Sequence, residues 1–404
     1  MMSLDEIERA AIPASPSETA GRHLTSELAE TLKLAAPMAL TQLGQIAMTT
    51  TDLALIGHIS DEAVAAAGLA GMVYFVSFTL GIGLMAAVAP LAAQAFGAGN
   101  PPLVRRALRT GLWAALAISL PIMAFPLRGE QILQALGQAQ ATSHLAQDYL
   151  FGLAWGVMPA LWFQAIRSFM GAVNRPQPIL WITLAAIPAN ALLAYLLIYG
   201  AFGLPRLGLF GAGIATSMVN FGTFLAALWF VTQRKPFSDY HVMTRLWRID
   251  WTLMRQIVAI GAPISIAFLL EYGLFSSAGL LMGLISTTAL AAHQVALQIT
   301  AILFMVPFGI GMAATIRVGH AVGGNDPAAI KRAGIVAMRL GVVLSAILTL
   351  TVSWRASRSC GFSSTRLPRT RTQRSTLRQR FWRSARHCSS PMACRAPPSA
   401  HCAA

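Results

Sequence analysis

The chain states one apolar pattern twice. Leu34-Ala-Ala-Pro37, Leu55-Ile-Gly57-His-Ile-Ser60 and Phe96-Gly97-Ala-Gly-Asn100-Pro101 return as Ile260-Gly-Ala-Pro263, Leu281-Met-Gly283-Leu-Ile-Ser286 and Val322-Gly323-Gly-Asn-Asp326-Pro327. A single offset of 226 residues pairs Pro37 with Pro263, Gly57 with Gly283, Gly83 with Gly309, Gly97 with Gly323, Pro101 with Pro327 and Arg106 with Arg332. A repeat of this length restricts the fold to two like halves with a central cavity between them, a build common among secondary transporters.

What surrounds those halves follows from the balance of residues. With 55% hydrophobic and 11% charged residues and a mean hydropathy of +0.60, the chain carries more apolar surface than a soluble domain can bury. It reads as an all-α polytopic membrane protein with two pseudo-symmetric helical lobes. Nine stretches are long enough to span, at about 32–57, 68–94, 107–127, 145–170, 178–202, 209–232, 256–284, 289–316 and 333–353. The implied organisation is an amino-terminal arm (1–31), a six-helix N-lobe (32–232), an inter-lobe loop (233–255), a partial C-lobe of three helices (256–353) and a separate tail (354–404).

The first 31 residues lack a long apolar run, so they do not read as a cleaved secretory signal but as a solvated arm. Arg105, Arg106, Arg109, Arg175, Arg234, Lys235, Arg245, Arg248, Arg255, Lys331 and Arg332 all fall in loops or helix ends on one side, whereas the alternate loops hold only Arg128 and Arg206. The positive-inside rule then sets the amino terminus in the cytoplasm of a bacterial-type inner membrane.

Ionisable groups at membrane depth are costly and are usually paired, wetted and functional. Asp52, late in the first span, and Glu271, midway along the seventh, are the carboxylates placed there. Asp52 shares a helical face with Gln42, Gln45 and Thr49, a polar stripe suited to a cavity, although a helix-end carboxylate at the interface is the alternative. The repeat sets Glu271 opposite Gln45, so each half offers one acceptor for a proton or cation. Pro37 and Pro263 hold matched positions, where a proline either kinks a gating helix or starts one. Pro188 interrupts the fifth span and is a kink position two residues before Asn190, whose amide would point into the lobe that holds Asp52 or bond a neighbouring helix. Arg167, at the end of the fourth span, is expected to snorkel to the interface, and His293-Gln294 to serve packing and hydrogen bonding. No Walker motif, metal-ligand histidine pair or nucleophile elbow occurs, so neither an ATP-driven pump nor a hydrolase is indicated.

Beyond Ser353 the vocabulary changes: Asp, Glu, Lys, Ile, Val, Asn and Tyr vanish while eleven arginines and all four cysteines of the chain appear. One reading is a disordered Arg/Ser/Pro extension that binds anionic lipid or nucleic acid. The other is a displaced reading frame. Taking the third base of each codon as the first of the next, the codons from His387 to Arg395 permit Leu-Phe-Ile-Thr-Asp-Gly-Met-Gln, and those from His401 permit Leu-Arg-Gly ten positions after the Asp.

Pro37 with Thr51-Asp52, Gln94-Ala-Phe-Gly97-Ala-Gly99, Gln164-Ala-Ile-Arg167-Ser168-Phe, Glu271, Ala292-His293-Gln294-Val-Ala and Ile316-Arg317-Val-Gly319-His320 together resemble the NorM-like branch of the multidrug and toxic compound extrusion family, over residues 30 to about 353. The resemblance implies twelve helices in two lobes, and export of organic cations in exchange for Na⁺ or H⁺, with no other cofactor or metal, no enzymatic activity, no nucleic-acid partner and a monomer in the bilayer. It assigns Asp52 to proton or cation coupling with Asn190 and Thr216, and Glu271 to a cation site in the second lobe. Ala194 departs from the family, which often has a polar residue one turn after the asparagine. The family's helix-ten Asp and Leu-Arg-Gly match the displaced frame, so this copy is expected to lack three helices and to be impaired. The alternatives are a lipid-linked precursor flippase of related build and a membrane-tethered lipid- or nucleic-acid-binding protein.

Overall fold

The computed structural model describes residues 16–364, apart from 204, 236, 241, 243–246, 248 and 286. The regular elements among them are helical. In the first half these are α1 (Pro16–Gly57), α2 (Asp61–Ala86), α3 (Val88–Gly97), α4 (Pro101–Leu127), α5 (Gly129–Ala135), α6 (Gln140–Ala172), α7 (Gln177–Tyr199) and α8 (Gly208–Gln233). The second half contributes α9 (Trp251–Ile285), α10 (Thr287–Gly323) and α11 (Pro327–Ser364). Two units are distinguished, residues 1–345 and 346–404; of the second, only the end of α11 is described. The expected twelve-helix count, the displaced frame and most of the arginine-rich tail concern positions outside the described residues.

Each of the nine expected spans coincides with a long helix, with α2 and α3 sharing one and the fifth running three residues past the end of α7 at Tyr199. Eight of the nine are long and apolar enough to cross a membrane, and α1 is the exception. Its second half carries Thr41, Gln42, Gln45, Thr49, Thr50, Thr51 and Asp52, which lower its hydropathy. The threonines turn back on the helix: Thr41, Thr50 and Thr51 each donate to the carbonyl four residues earlier, at 2.7–2.8 Å.

Two sequence boundaries are corrected. Helix α1 begins at Pro16, so residues 16–31 belong to a helix and not to a free arm. Low hydropathy marks that stretch as outside the hydrocarbon, but hydropathy does not report helicity, and Pro at a first turn is compatible with it. Helix α9 begins at Trp251 because Asp250 caps it, its Oδ1 accepting from the backbone amides of Thr252 (3.2 Å) and Leu253 (3.3 Å). Described residues of the inter-lobe loop are also packed: Phe237 and Val242 are buried in a cluster with Phe169, and Asp250 pairs with Arg106 at 3.4 Å.

The sequence repeat is realised atom for atom at the helix starts. Asn100 caps α4 by accepting from the Leu103 amide at 3.1 Å, and its mate Asp326 caps α11 by accepting from Ala328 and Ala329 at 3.0 Å. Pro101 and Pro327 follow each cap, where a missing N–H costs nothing. Just before them, Gly99 (φ 62°) and Asn325 (φ 56°) both take the left-handed conformation that ends the preceding helix.

The halves meet through matched glycines. A Cβ on Gly97 would overlap the His320 carbonyl, and one on Gly323 would overlap the Gln94 carbonyl. Since Gln94 and His320 are themselves 226 apart, this is one contact seen from both sides. Likewise Gly83 abuts Ser265, while Gly309 abuts Ala39, 226 residues before Ser265, with 2.7 Å left for a Cβ. Ser265 adds a hydrogen bond to the Leu80 carbonyl at 2.8 Å. In lipid, helices gain little by merely hiding apolar surface, so close backbone approach and interhelical hydrogen bonds hold them together. The same device seats α8 on α6 within the first half, where Gly213 faces the Tyr149 carbonyl and Ser217 donates to the Gly152 carbonyl at 2.6 Å.

Candidate functional site

Three helices bring the first polar cluster together. Asp52 of α1 is 6% exposed, Asn190 of α7 is fully enclosed, and Thr216 of α8 stands beside them. The Asn190 amide nitrogen donates to Asp52 Oδ1. Thr216 Oγ1 lies 3.2 Å from Asp52 Oδ2 and 3.2 Å from the Ala212 carbonyl, and its single proton is shared between the two. Asn190 Oδ1 is buried with no hydrogen-bond partner among the described residues. An orphaned carbonyl oxygen costs about 1–3 kcal/mol, and beside a carboxylate and a hydroxyl it completes an all-oxygen set suited to a hard cation. Pro188 lies inside α7, two residues before Asn190. Where the family often has a polar group, Ala194 is wholly buried and packs its methyl against apolar neighbours.

Sequence reasoning did not single out the phenols around this carboxylate. Tyr149 of α6 lies within electrostatic range of Asp52 and of Tyr74 on α2. Tyr199 donates its hydroxyl proton to the Leu55 carbonyl at 3.0 Å, tying the end of α7 to α1. A tyrosine in an apolar helix reads as core or as interface belt, so only the packing reveals which one faces the acid.

The expected snorkelling of Arg167 is overturned. Its guanidinium turns inward and is 5% exposed. Nη2 donates to Gln42 Oε1 at 2.6 Å, and Nη1 donates to Gln45 Oε1 at 3.2 Å and to Gln164 Oε1 at 3.5 Å. The sulfur of Met312, on α10, lies 3.9 Å from Nη2. Two amides three residues apart on α1 offer the fork a ready pair of acceptors, which the interface route does not. Gln42 and Gln45 thus hold the guanidinium, while Thr49 is exposed and donates to the Ile46 carbonyl at 2.9 Å.

Glu271 is not brought to the Asp52 cluster. It is exposed on α9, whose contacts are with α2, α4 and α10, and it makes no hydrogen bond or ion pair with any described residue. Pro37 and Pro263 both lie inside their helices, which excludes the helix-start reading for each. His293 Nε2 is buried without a partner among the described residues.

A second polar cluster ties the halves at the far end of α1. Arg317 of α10 donates to the Glu27 carbonyl and carboxylate, to Thr31 Oγ1 at 2.8 Å and to Glu30 at 3.1 Å. His320 Nε2 meets the Ala172 carbonyl at 2.6 Å nearby. Glu27 lies in the stretch read as a free arm, so the pair was invisible in the sequence. Arg317 and Glu27 are 12% and 22% exposed at the side chain, sheltered enough for their pairing to matter. Arg317→Met and Glu27→Gln are each expected to cost about 1–3 kcal/mol, and a double-mutant cycle by thermal unfolding should show that their effects overlap; strictly additive losses would show that the pair contributes nothing as a pair.

The family model described as MatE matches residues 37–196 and 263–358. The chain is 66% identical over 352 residues to a protein of Bradyrhizobium diazoefficiens named "Probable multidrug resistance protein NorM", covering 87% of this chain and 75% of that one. It is 58% identical to a protein of the same name from Rhodopseudomonas palustris, covering 81% and 69%. The crystal structure of the eukaryotic MATE transporter AtDTX14 superposes with a TM-score of 0.73 at 20% identity, over 81% of this chain and 73% of that one. An outward-facing multidrug resistance MATE transporter of the MOP superfamily gives 0.72 at 17% identity, over 81% and 72%.

Proposed function

The chain belongs to the MatE family of multidrug-efflux transporters, and from that membership we propose that it exports cationic and hydrophobic compounds in exchange for Na⁺ or H⁺ held at Asp52. It is a multi-pass membrane transporter and not an enzyme. The observation that carries the coupling assignment is the buried carboxylate of Asp52 beside the orphaned Asn190 Oδ1. A coupling ion is held by Asp52, Asn190 Oδ1 and Thr216, and a substrate cation needs the same negative charge. One carboxylate cannot balance both, so loading one favours release of the other. Exchange follows when ion and drug differ in affinity for the inward and outward states. Glu271 supplies a second acceptor from the other half, and Pro37, Pro188 and Pro263 mark where the helices flex. In this reading the six-helix first half and the second half form two lobes, and the protein acts as a monomer in the inner membrane with its amino terminus in the cytoplasm.

The test is binding of a cationic dye such as rhodamine 6G to the purified chain, followed by fluorescence anisotropy. Bound dye should be displaced by Na⁺ or by acidification. Dye that binds without being displaced by either ion overturns the exchange reading. Orientation has its own readout: a fluorescent protein fused to the amino terminus should be bright, whereas a periplasmic phosphatase fused there should be inactive.

A further inference from the structure

Arg167 is a buried cation whose partners are three amides and a thioether. A guanidinium taken out of water and hydrogen-bonded only by neutral groups keeps its full charge in the surrounding field. The carboxylate best placed to feel it is Asp52, on the same helix as the two glutamines that hold it. Gln45 and Asp52 are seven residues apart, about 10 Å along a helix.

We propose that Arg167 sets the affinity of the Asp52 site for its coupling ion, acting through its charge as a positioning residue that makes the ion releasable. This rests on the reading of Asp52 as the exchange site. With the site empty, the carboxylate and the guanidinium balance. When a cation fills it, the guanidinium is left as uncompensated positive charge, and the bound state is weakened. At an effective dielectric of about 20, two charges roughly 10–15 Å apart interact enough to change an affinity about tenfold. A site without Arg167 would hold its ion more tightly and exchange it less readily.

Among the described residues, no other charged group facing Asp52 supplies this field. Asp52 is faced by Asn190 from α7 and Thr216 from α8, with Tyr149 of α6 within electrostatic range, while Tyr199 of α7 is engaged by the Leu55 carbonyl. On α10, His293 is brought level with Asp52 by the antiparallel register in which Arg317 meets Glu27 and Gly309 meets Ala39. The pairing of Arg317 with Glu27 and Glu30 compensates its charge at the opposite end of α1.

The experiment measures stabilisation of the purified chain against thermal unfolding as Na⁺ is titrated and, separately, as pH is lowered, since an ion that binds only the folded protein raises its unfolding temperature. Arg167→Lys should keep the parental midpoint within about twofold. Arg167→Gln should reach half-stabilisation at about tenfold lower ion concentration, which for protons moves the midpoint up by about one pH unit. Gln42→Glu sets a carboxylate beside the intact guanidinium and should shift the midpoint the same way, which keeps the test decisive if Arg167→Gln does not fold. Equal midpoints in parent, Arg167→Gln and Gln42→Glu, with only the baseline stability lowered, would show Arg167 to be a clamp on α1 and overturn the inference. Asp52→Asn separates the two claims. Ion stabilisation that persists in it defeats the exchange site itself, whereas its loss together with unshifted Arg167 variants defeats only the role of the guanidinium.

Discussion

Alanine at Gly97, or at its mate Gly323, should remove most of the folded protein, at a cost of about 3 kcal/mol for either substitution alone. The added methyl does not meet a side chain that can swing away. It meets the carbonyl oxygen of His320 in one case and of Gln94 in the other, and both belong to helices fixed by their neighbours. Relief therefore requires the ends of α3 and α10 to separate, which also loosens the His320 bond to Ala172. Gly68→Ala is the control, because nothing lies within 4 Å of the methyl it would add on α2, and alanine is the better helix former. The comparison is thermal unfolding and the monodisperse fraction in detergent. Gly97→Ala as stable as Gly68→Ala would show that the crossing is looser than described.

Asp52→Asn should abolish ion-displaced dye binding, a loss of at least a hundredfold in ion response, while leaving membrane abundance unchanged. The amide has the shape of the carboxylate: its oxygen still accepts from Asn190, and its NH2 takes the place of Oδ2 and can donate to the Thr216 hydroxyl, so the packing of α1, α7 and α8 survives. What it lacks is charge: it neither takes up a proton at accessible pH nor balances a bound cation. Asn190→Leu should reproduce part of the effect, because it removes the orphaned oxygen as well as the donor to Asp52. Parental ion response in Asp52→Asn, at equal abundance, would make the carboxylate structural.

The parts of this fold that were legible in the sequence are those where local chemistry leaves little choice. A glycine matched across 226 residues has few explanations in an apolar helix other than close approach, and Gly97, Gly323, Gly83 and Gly309 all provide it. Asn100-Pro101 and Asp326-Pro327 announce helix starts by capping. Asp52 and Asn190 were matched through a family resemblance, and periodicity alone left the asparagine with two readings. Residues with long side chains were the illegible ones. An arginine near a helix end reaches the interface or the interior with equal ease, and what turned Arg167 inward was a pair of glutamines 125 and 122 residues away. Glu27 was missed because a polar stretch says nothing about whether it is coiled or helical until a partner such as Arg317 is seen against it.

The matched glycines carry one more implication. A contact that repeats itself under exchange of the two halves is the kind found across the axis of a homodimer, so the chain is built like two copies joined by a peptide. A cut in the connecting loop between Tyr240 and Asp250 would then leave two fragments able to find each other in the bilayer. Their chemistry has drifted apart while the grip has not: the position matched to Asp52 is Ala278, and that matched to Glu271 is Gln45. The halves share their backbone contacts at the seam and differ in the side chains away from it.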